Sequence, residues 1–257
     1  MRKTNNRLGE ENLNNQGCLM KIINYNNARD IIVEFQDEYK AKVKTEYGNY
    51  KKGNVKNPYY PSVYGVGIIG EKHQICNLSC TKEYKIWCSM LQRCFDEKTK
   101  EKWFVYNDAI CCEEWLLFEN FYNWLHEQDN FKQWIDGEKW DIDKDILIKG
   151  NKIYSPETCL LIPHNINSLF TKSNKIRGEY PIGVVKHGEK YQASCQNMLN
   201  DKREHLGTYD SPQSAFKAYK EYKENLIKQI AKQEYSKRNI TNKCYEAMLN
   251  YQVEITD

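Results

Sequence analysis

Apolar and polar positions alternate over the first part of the chain and recur at helical spacing in its middle and near its end. After a polar, Asn-rich opening over 1–18, short β-like runs appear at MKIINY, DIIVEFQDEY, AKVKTEY and VYGVGIIG. Such runs, separated by Asn-, Gly- and Pro-bearing stretches, predict a small antiparallel sheet or partial barrel. From Thr81 the period changes. KEYKIWCSMLQRCF sets Tyr84, Trp87, Cys88, Leu91 and Cys94 or Phe95 on one face, and EEWLLFENFYNWLHEQ does the same with Trp115, Phe118, Phe121, Tyr122 and Leu125. Each stripe predicts an amphipathic helix turned to a core.

The stretch from Trp140 to Phe170 is of another kind. The alternation through Ile142, Asp143, Lys144, Asp145 and Ile146 predicts a strand, followed by turns at Gly150-Asn151 and Ser155-Pro156-Glu157. The wholly apolar run from Cys159 to Ile162 predicts a second, buried strand. Pro163 to Phe170, with Ile166, Leu169 and Phe170 at helical spacing, predicts a short helix. Beyond TKSNKIRGEYP, which reads as a linker, IGVVKHG, KYQASCQ and REHLGTY predict three more strands. Asp210-Ser211-Pro212 then caps a long helix whose Ala215, Phe216, Ala218, Tyr219, Tyr222, Leu226 and Ile230 form the buried stripe. NKCYEAMLNYQVEITD predicts one further short helix and an acidic end. The expected class is α+β. Its expected divisions are a polar segment 1–18, a small β-rich domain 19–75, an α-rich, Cys-containing module 76–171, a sheet-and-helix domain 172–238, and a helix and tail 239–257.

The net charge of +3 over 257 residues says little, and its distribution says more. Between Asp108 and Asp145 eleven acids face only Lys132, Lys139 and Lys144. Such a stretch repels DNA unless a divalent cation sits there, and is otherwise a solvated helix face. Between Lys172 and Arg238 the balance reverses, with fourteen basic residues against eight acids. No apolar run approaches membrane-spanning length and the amino terminus lacks an apolar export segment, so a soluble, cytoplasmic protein without a membrane partner is the expectation. In that reducing compartment the ten cysteines are buried thiols or metal ligands. Cys76 and Cys80 are four apart, and no C-x-x-C pair is present. On a loop of the first part, Lys51, Lys52, Lys56, Asn57, Tyr59 and Tyr60 interleave cations and aromatics, a pattern that either grips phosphates or is simply solvated.

Cleavage of a phosphodiester by a ββα-metal unit needs an acidic ligand on one strand with a histidine base beside it. It also needs a loop asparagine to orient the base and an asparagine or histidine on the following helix. The stretch from Trp140 resembles that unit as found in phage HNH homing endonucleases. Upstream, WCSMLQRC, CCEEW and YSPETC are similar to the W-x-x-M-x-x-R-C, C-x-E-W and Y-x-P-x-x-C patterns of a phage HNH-associated family. The resemblance implies a divalent metal, magnesium or a relative, on Asp143 and Asn167, with Asn151 as the loop residue. Lys144 stands where the histidine is expected. A lysine is protonated near neutral pH unless burial lowers its pKa strongly, so Asp145 would have to act as base or no cleavage occurs. His164 follows the second strand and is set on its wrong side by this register. Cys94, Cys112 and Cys159 fall at the family's cysteine positions, which implies a structural zinc or three buried thiols.

The C-terminal part, with LGTYDSPQSAFKAY as its most specific stretch, resembles an AP2/ERF-type DNA-binding domain over roughly 177–230. Alternation buries Tyr191, Ala193 and Cys195 against Phe216 and Tyr219. The opposite face then shows Lys190, Gln192, Ser194 and Gln196, joined by Lys186, His187, Arg203 and His205. Cations and amides on a sheet can lie in the major groove of double-stranded DNA. The expected function is that of an HNH-type, DNA-binding endonuclease. The alternative is a catalytically inactive DNA-binding regulator, or a phage factor that binds and inhibits a host protein.

Overall fold

The structure is a computed structural model and describes residues 7–73, 77–137, 139–170 and 179–255. The chain divides into two compact units, Met1–Asn123 and Trp124–Asp257. The centre expected as one module over 76–171 is therefore shared between them. Both units mix helix and sheet, and the fold class is α+β.

In the first unit β1 (Glu11–Leu13), β2 (Leu19–Asn27), β3 (Asp30–Phe35) and β4 (Lys42–Thr45) form an antiparallel meander in sequence order. Alternation decides its inner face: Met20, Ile22, Ile31, Val33 and Phe35 are buried together with Tyr50 from α1 (Tyr47–Lys51). Within the polar opening segment, Glu11–Leu13 belong to this sheet. β1 pairs with β2, and the turn between them is built on Asn14. Its Oδ1 accepts from the backbone N–H of Gln16 and Cys18 at 3.0 and 2.7 Å, and its Nδ2 donates to the Val55 carbonyl at 2.9 Å. The run VYGVGIIG is not a strand either. It folds back on itself through a bridge between Val63 and Gly67, and Gly67 lies against Trp87 and Leu91, where a Cβ would come within 2.6 Å of Leu91 Cδ1.

The helical period is realised in α2 (Lys82–Phe95), where Thr81 caps the first turn by accepting from Tyr84 N–H and Trp87, Met90, Leu91 and Cys94 are buried. Trp87 donates its indole N–H to the Trp115 carbonyl at 2.7 Å. α3 (Glu97–Lys102) and the short β5 (Ile110–Cys111) follow. EEWLLFENFYNWLHEQ then splits into a single 3-10 turn over Glu113–Leu116 and α4 (Phe118–His126). Cys76 lies outside the described residues.

The second unit begins at Trp124, within α4, and continues with α5 (Phe131–Asp136). β6 (Trp140–Asp143) pairs antiparallel with β8 (Leu160–Pro163), with the short β7 (Ile153–Tyr154) between them in sequence and α6 (His164–Ser168) after them. Asn130, wholly buried, donates to the carbonyls of Leu161 and Asn239 at 2.8 and 3.0 Å. Then come β9 (Val184–His187), β10 (Lys190–Asn197) and β11 (Lys202–Tyr209), an antiparallel sheet with β10 in the middle. α7 (Pro212–Ser236) packs on it, started by Ser211, which accepts from Ser214 N–H, and by Pro212 in the first turn, whose missing N–H costs nothing there. α8 (Asn242–Leu249) closes the unit. The ββα stretch, the three-stranded sheet and the terminal helix share one core, with Ile162, Ile166, Ala193, Tyr219, Ile227 and Met248 among its members. The divisions expected at 171/172 and 238/239 are thus interior to one unit, and the linker over 171–178 lies outside the described residues. No helix among the described residues is long and apolar enough to cross a membrane.

Candidate nucleic-acid interface and the ββα unit

The two faces of the three-stranded sheet follow from its register, because residues directly opposite on antiparallel strands point the same way. Val184 faces Ala193, Tyr191 faces Tyr209 and Cys195 faces Glu204, all on the side of α7. His187 faces Lys190, Val185 faces Gln192, Gln192 faces Thr208, Ser194 faces His205 and Gln196 faces Arg203, all on the side away from it. A β-bulge between Ala193 and Ser194 absorbs one extra residue of β11, at Leu206, without exchanging the faces. Seven of the eight residues expected on the outer face are there: His187, Lys190, Gln192, Ser194, Gln196, Arg203 and His205. Lys186 is not. It stands opposite Tyr191, on the helix side, and exposed Val185 takes its place.

The outer face is held in a defined arrangement. Ser194, buried beneath its neighbours, accepts from Arg203 Nε at 3.0 Å, which fixes the guanidinium through one nitrogen. Gln192 Nε2 and His205 Nδ1 are 2.9 Å apart. Gln196 donates to Asp201 at 3.2 Å. Lys190 reaches Asp210 at 3.3 Å, but both side chains are exposed, so that pair is weak and readily exchanged.

In the ββα unit the expected catalytic residues hold the turn that follows β6. Asp143 Oδ1 accepts from the backbone N–H groups of Asp145 and Ile146 at 2.9 and 2.7 Å, and the residue is 8% exposed. Lys144, also buried, donates to Asp145 Oδ2 at 2.7 Å and to the Asn151 carbonyl at 2.8 Å. Asn151 answers by donating to the Lys144 and Ile153 carbonyls at 2.9 and 2.7 Å. The strand ends at Asp143 because its side chain takes over the hydrogen bonds a further ladder step would make.

The helix asparagine does something else. Asn167 donates to Asp141 Oδ2 at 3.0 Å, and His164 Nδ1 meets the same oxygen at 2.7 Å. Neither Asp141 nor His164 is singled out by the alternation. They meet because Trp140 pairs with Pro163 and His164 N–H continues the ladder to the Lys139 carbonyl at 3.0 Å. His164 therefore comes to Asp141's side of the pair, contrary to the expectation for it. The one signal in the sequence is the spacing of His164 and Asn167, three apart on a helix and so on one side of it.

No family model matches the chain, and searches of curated proteins and of solved structures return no match.

A divalent ion on Asp143 and Asn167 does not fit this arrangement. A hard cation takes open, ionised oxygen ligands and keeps water in its shell. Asp143 is buried, one of its oxygens serves the turn, and desolvation raises its carboxyl above the ordinary range despite the backbone N–H groups of Ile146 and Asp145. Among the described residues no group of three or more His, Cys, Asp or Glu side chains is placed to hold a metal ion. The proposed zinc cysteines are buried or half-buried thiols. Cys94 and Cys112 belong to the first unit and Cys159 to the second, where burial pushes its thiol up to about 12. In the loop of the first unit, Asn57 and Tyr59 serve the fold. Asn57, buried, donates to Asp37 at 2.6 Å, and Tyr59 stacks on Tyr39 with centroids 4.2 Å apart. Lys51, Lys52 and Lys56 are exposed.

The raised Asp143 carboxyl has a consequence for stability. The folded protein binds that proton more tightly than the unfolded chain does. Its contribution is complete below the ordinary carboxylate pKa, ~4, and is lost as pH climbs through the raised folded value. An amide oxygen accepts the same two turn bonds. Asp143→Asn is therefore expected to melt no lower than the parent at neutral pH, and to flatten the fall in melting temperature from about pH 4 to pH 7. Thermal melts across that range decide it, and a variant several degrees less stable at pH 7 would show that the charge itself is required.

Proposed function

We propose that this chain is a duplex-DNA-binding protein that docks through the outer face of β9, β10 and β11, in the manner of the AP2/ERF-type domain it resembles, and that its ββα unit is of the HNH homing-endonuclease kind. The observation that carries this reading is the separation of faces in one three-stranded sheet. One face is apolar and closed by α7, and the other presents Lys190, Arg203, His187, His205, Gln192 and Gln196 together. Phosphate contacts need the cations, and base edges in the major groove are read by Arg and Gln side chains. A protein partner of the obligate kind would call for an apolar face, and here only Val185 supplies one. The reading without catalysis at Asp143 is favoured by a specific observation: Asp143, Lys144, Asp145 and Asn151 bind one another and the backbone of their own turn.

Gel shifts on a mixed-sequence duplex across salt concentrations test the proposal. Each phosphate neutralised lowers the slope of log K against log salt by ~0.9, so at least two contacts from Lys190 and Arg203 give a slope of about −2 or steeper. Binding that ignores salt, or that favours a single strand of the same length, would remove the sheet-in-groove reading.

A further inference from the structure

Val185 is the apolar member of a face otherwise made of cations, amides and hydroxyls. It is 47% exposed and stands directly opposite Gln192 on the central strand β10. Packing does not account for it, since α7 closes the other side of the sheet. Side chains directly opposite on antiparallel strands are neighbours, with Cβ atoms about 5 Å apart. Whatever meets the Gln192 amide therefore meets the Val185 methyl groups as well.

Gln192 is held in one sense by His205. Its Nε2 lies 2.9 Å from His205 Nδ1. An amide nitrogen donates and does not accept, so Nδ1 is the acceptor and the ring carries its hydrogen on Nε2. The bond leaves Oε1 and one N–H of the amide for a ligand. Both groups are at the surface, where water would serve each of them, so the bond adds little to folding. What it adds is direction, because the donor and acceptor ends of the amide do not exchange while His205 holds the nitrogen. An acceptor beside a donor has one match among the base edges of the major groove. Adenine sets the N6 donor next to the N7 acceptor, guanine offers two acceptors, cytosine a donor, and thymine an acceptor and a methyl group. In an A·T pair that methyl group lies at the other end of the same edge.

We propose that Gln192, oriented by His205, and Val185 together read one A·T base pair, with the amide on adenine N6 and N7 and the valine on the thymine methyl. This rests on the reading of the outer face as a surface that docks on duplex DNA, and adds which base pair its centre selects.

The test takes the full chain and a pool of randomised duplexes, recovers those it retains in a gel shift, and sequences them. The parent is expected to retain duplexes that share an A·T pair. In one such duplex, an adenine analogue with carbon in place of N7 should weaken parent binding by about fivefold. Uracil in place of the paired thymine, which removes only the methyl group, should weaken it by about fourfold. Gln192→Ala should bind both forms of the adenine alike, and Val185→Ser should bind uracil and thymine alike, each at the parent melting temperature. His205→Phe should keep the affinity for an unselected duplex and lower the preference for adenine. Binding by the parent without a shared A·T pair overturns the proposal alone. So do analogue effects that are as large in Gln192→Ala and Val185→Ser as in the parent. A parent chain that shifts no duplex removes the DNA-binding reading, and the proposal with it.

Discussion

Arg203→Ala is expected to weaken duplex binding by about tenfold or more, whereas Lys186→Ala should leave it within about twofold. A well-oriented arginine on a base edge or phosphate accounts for roughly 1–3 kcal/mol of binding, and 1.4 kcal/mol is tenfold. Arg203 is well oriented before DNA arrives, because Ser194 accepts from its Nε at 3.0 Å and holds the guanidinium without using its two terminal nitrogens. Less rotamer freedom is then lost on docking. Ser194→Ala, which removes the tie but no cation, should weaken binding by a smaller factor and leave the salt slope alone. Arg203→Ala should also show which partner the guanidinium meets. A uniform loss over all sequences with a slope about one unit shallower means phosphate, and a loss confined to one preferred sequence means a base. Lys186 carries the same formal charge on the same sheet, so it is the proper comparison. It stands opposite Tyr191 on the α7 side. Equal losses from Lys186→Ala and Arg203→Ala, measured by gel shift at one salt concentration, would mean that the sheet does not dock by its outer face.

That contrast shows what the linear pattern could and could not carry. The alternation within β10 separates Tyr191, Ala193 and Cys195 from Lys190, Gln192 and Gln196 without help from the structure. The side on which Lys186 falls depends instead on how the chain turns through Gly188, since the hairpin sets which residue of β9 meets Tyr191. The long helices were legible because burial demands an apolar stripe, as at Trp87 and Leu91 or at Phe216 and Tyr219. The opening strand was not, because Asn14 organises it through hydrogen bonds that leave no trace in hydrophobicity. The meeting of Asp141 with His164 is of the same kind. It joins residues 23 apart through a strand register that only the pairing of Trp140 with Pro163 determines. Asp143 illustrates the opposite error. A carboxylate at the end of a strand suits a metal by its chemistry, but two backbone N–H groups reach it first.

The same sheet makes Gly183 the position where the smallest addition should do the most harm to folding. Gly183 introduces β9 with φ +76°, and its Cα sits directly on the ring of Tyr219, so that an added Cβ would lie 2.0 Å from Tyr219 Cδ2. Gly183→Ala meets two separate penalties. The left-handed backbone costs an L-residue about 1 kcal/mol, and displacing a packed aromatic ring costs a further 1–3 kcal/mol. Tyr219 is buried in the core that the ββα stretch and the sheet share, so it has little room to yield. The sum, roughly 3 kcal/mol, corresponds to a fall of about 10 °C in the melting temperature of a unit this size. Gly188→Ala provides the comparison: its φ is +62° and nothing lies within 4 Å of the added Cβ, so only the backbone penalty of about 1 kcal/mol remains. Because Gly183 accepts from Ser194 N–H at 2.9 Å, a shift of Gly183 also moves the residue beneath Arg203. Gly183→Ala should therefore lower DNA affinity even at temperatures where the variant is folded, and Gly188→Ala should not. Melting curves and gel shifts on the two variants separate these effects. Equal melting temperatures would mean that Tyr219 can leave the sheet without cost, and that the outer face does not depend on the packing beneath it.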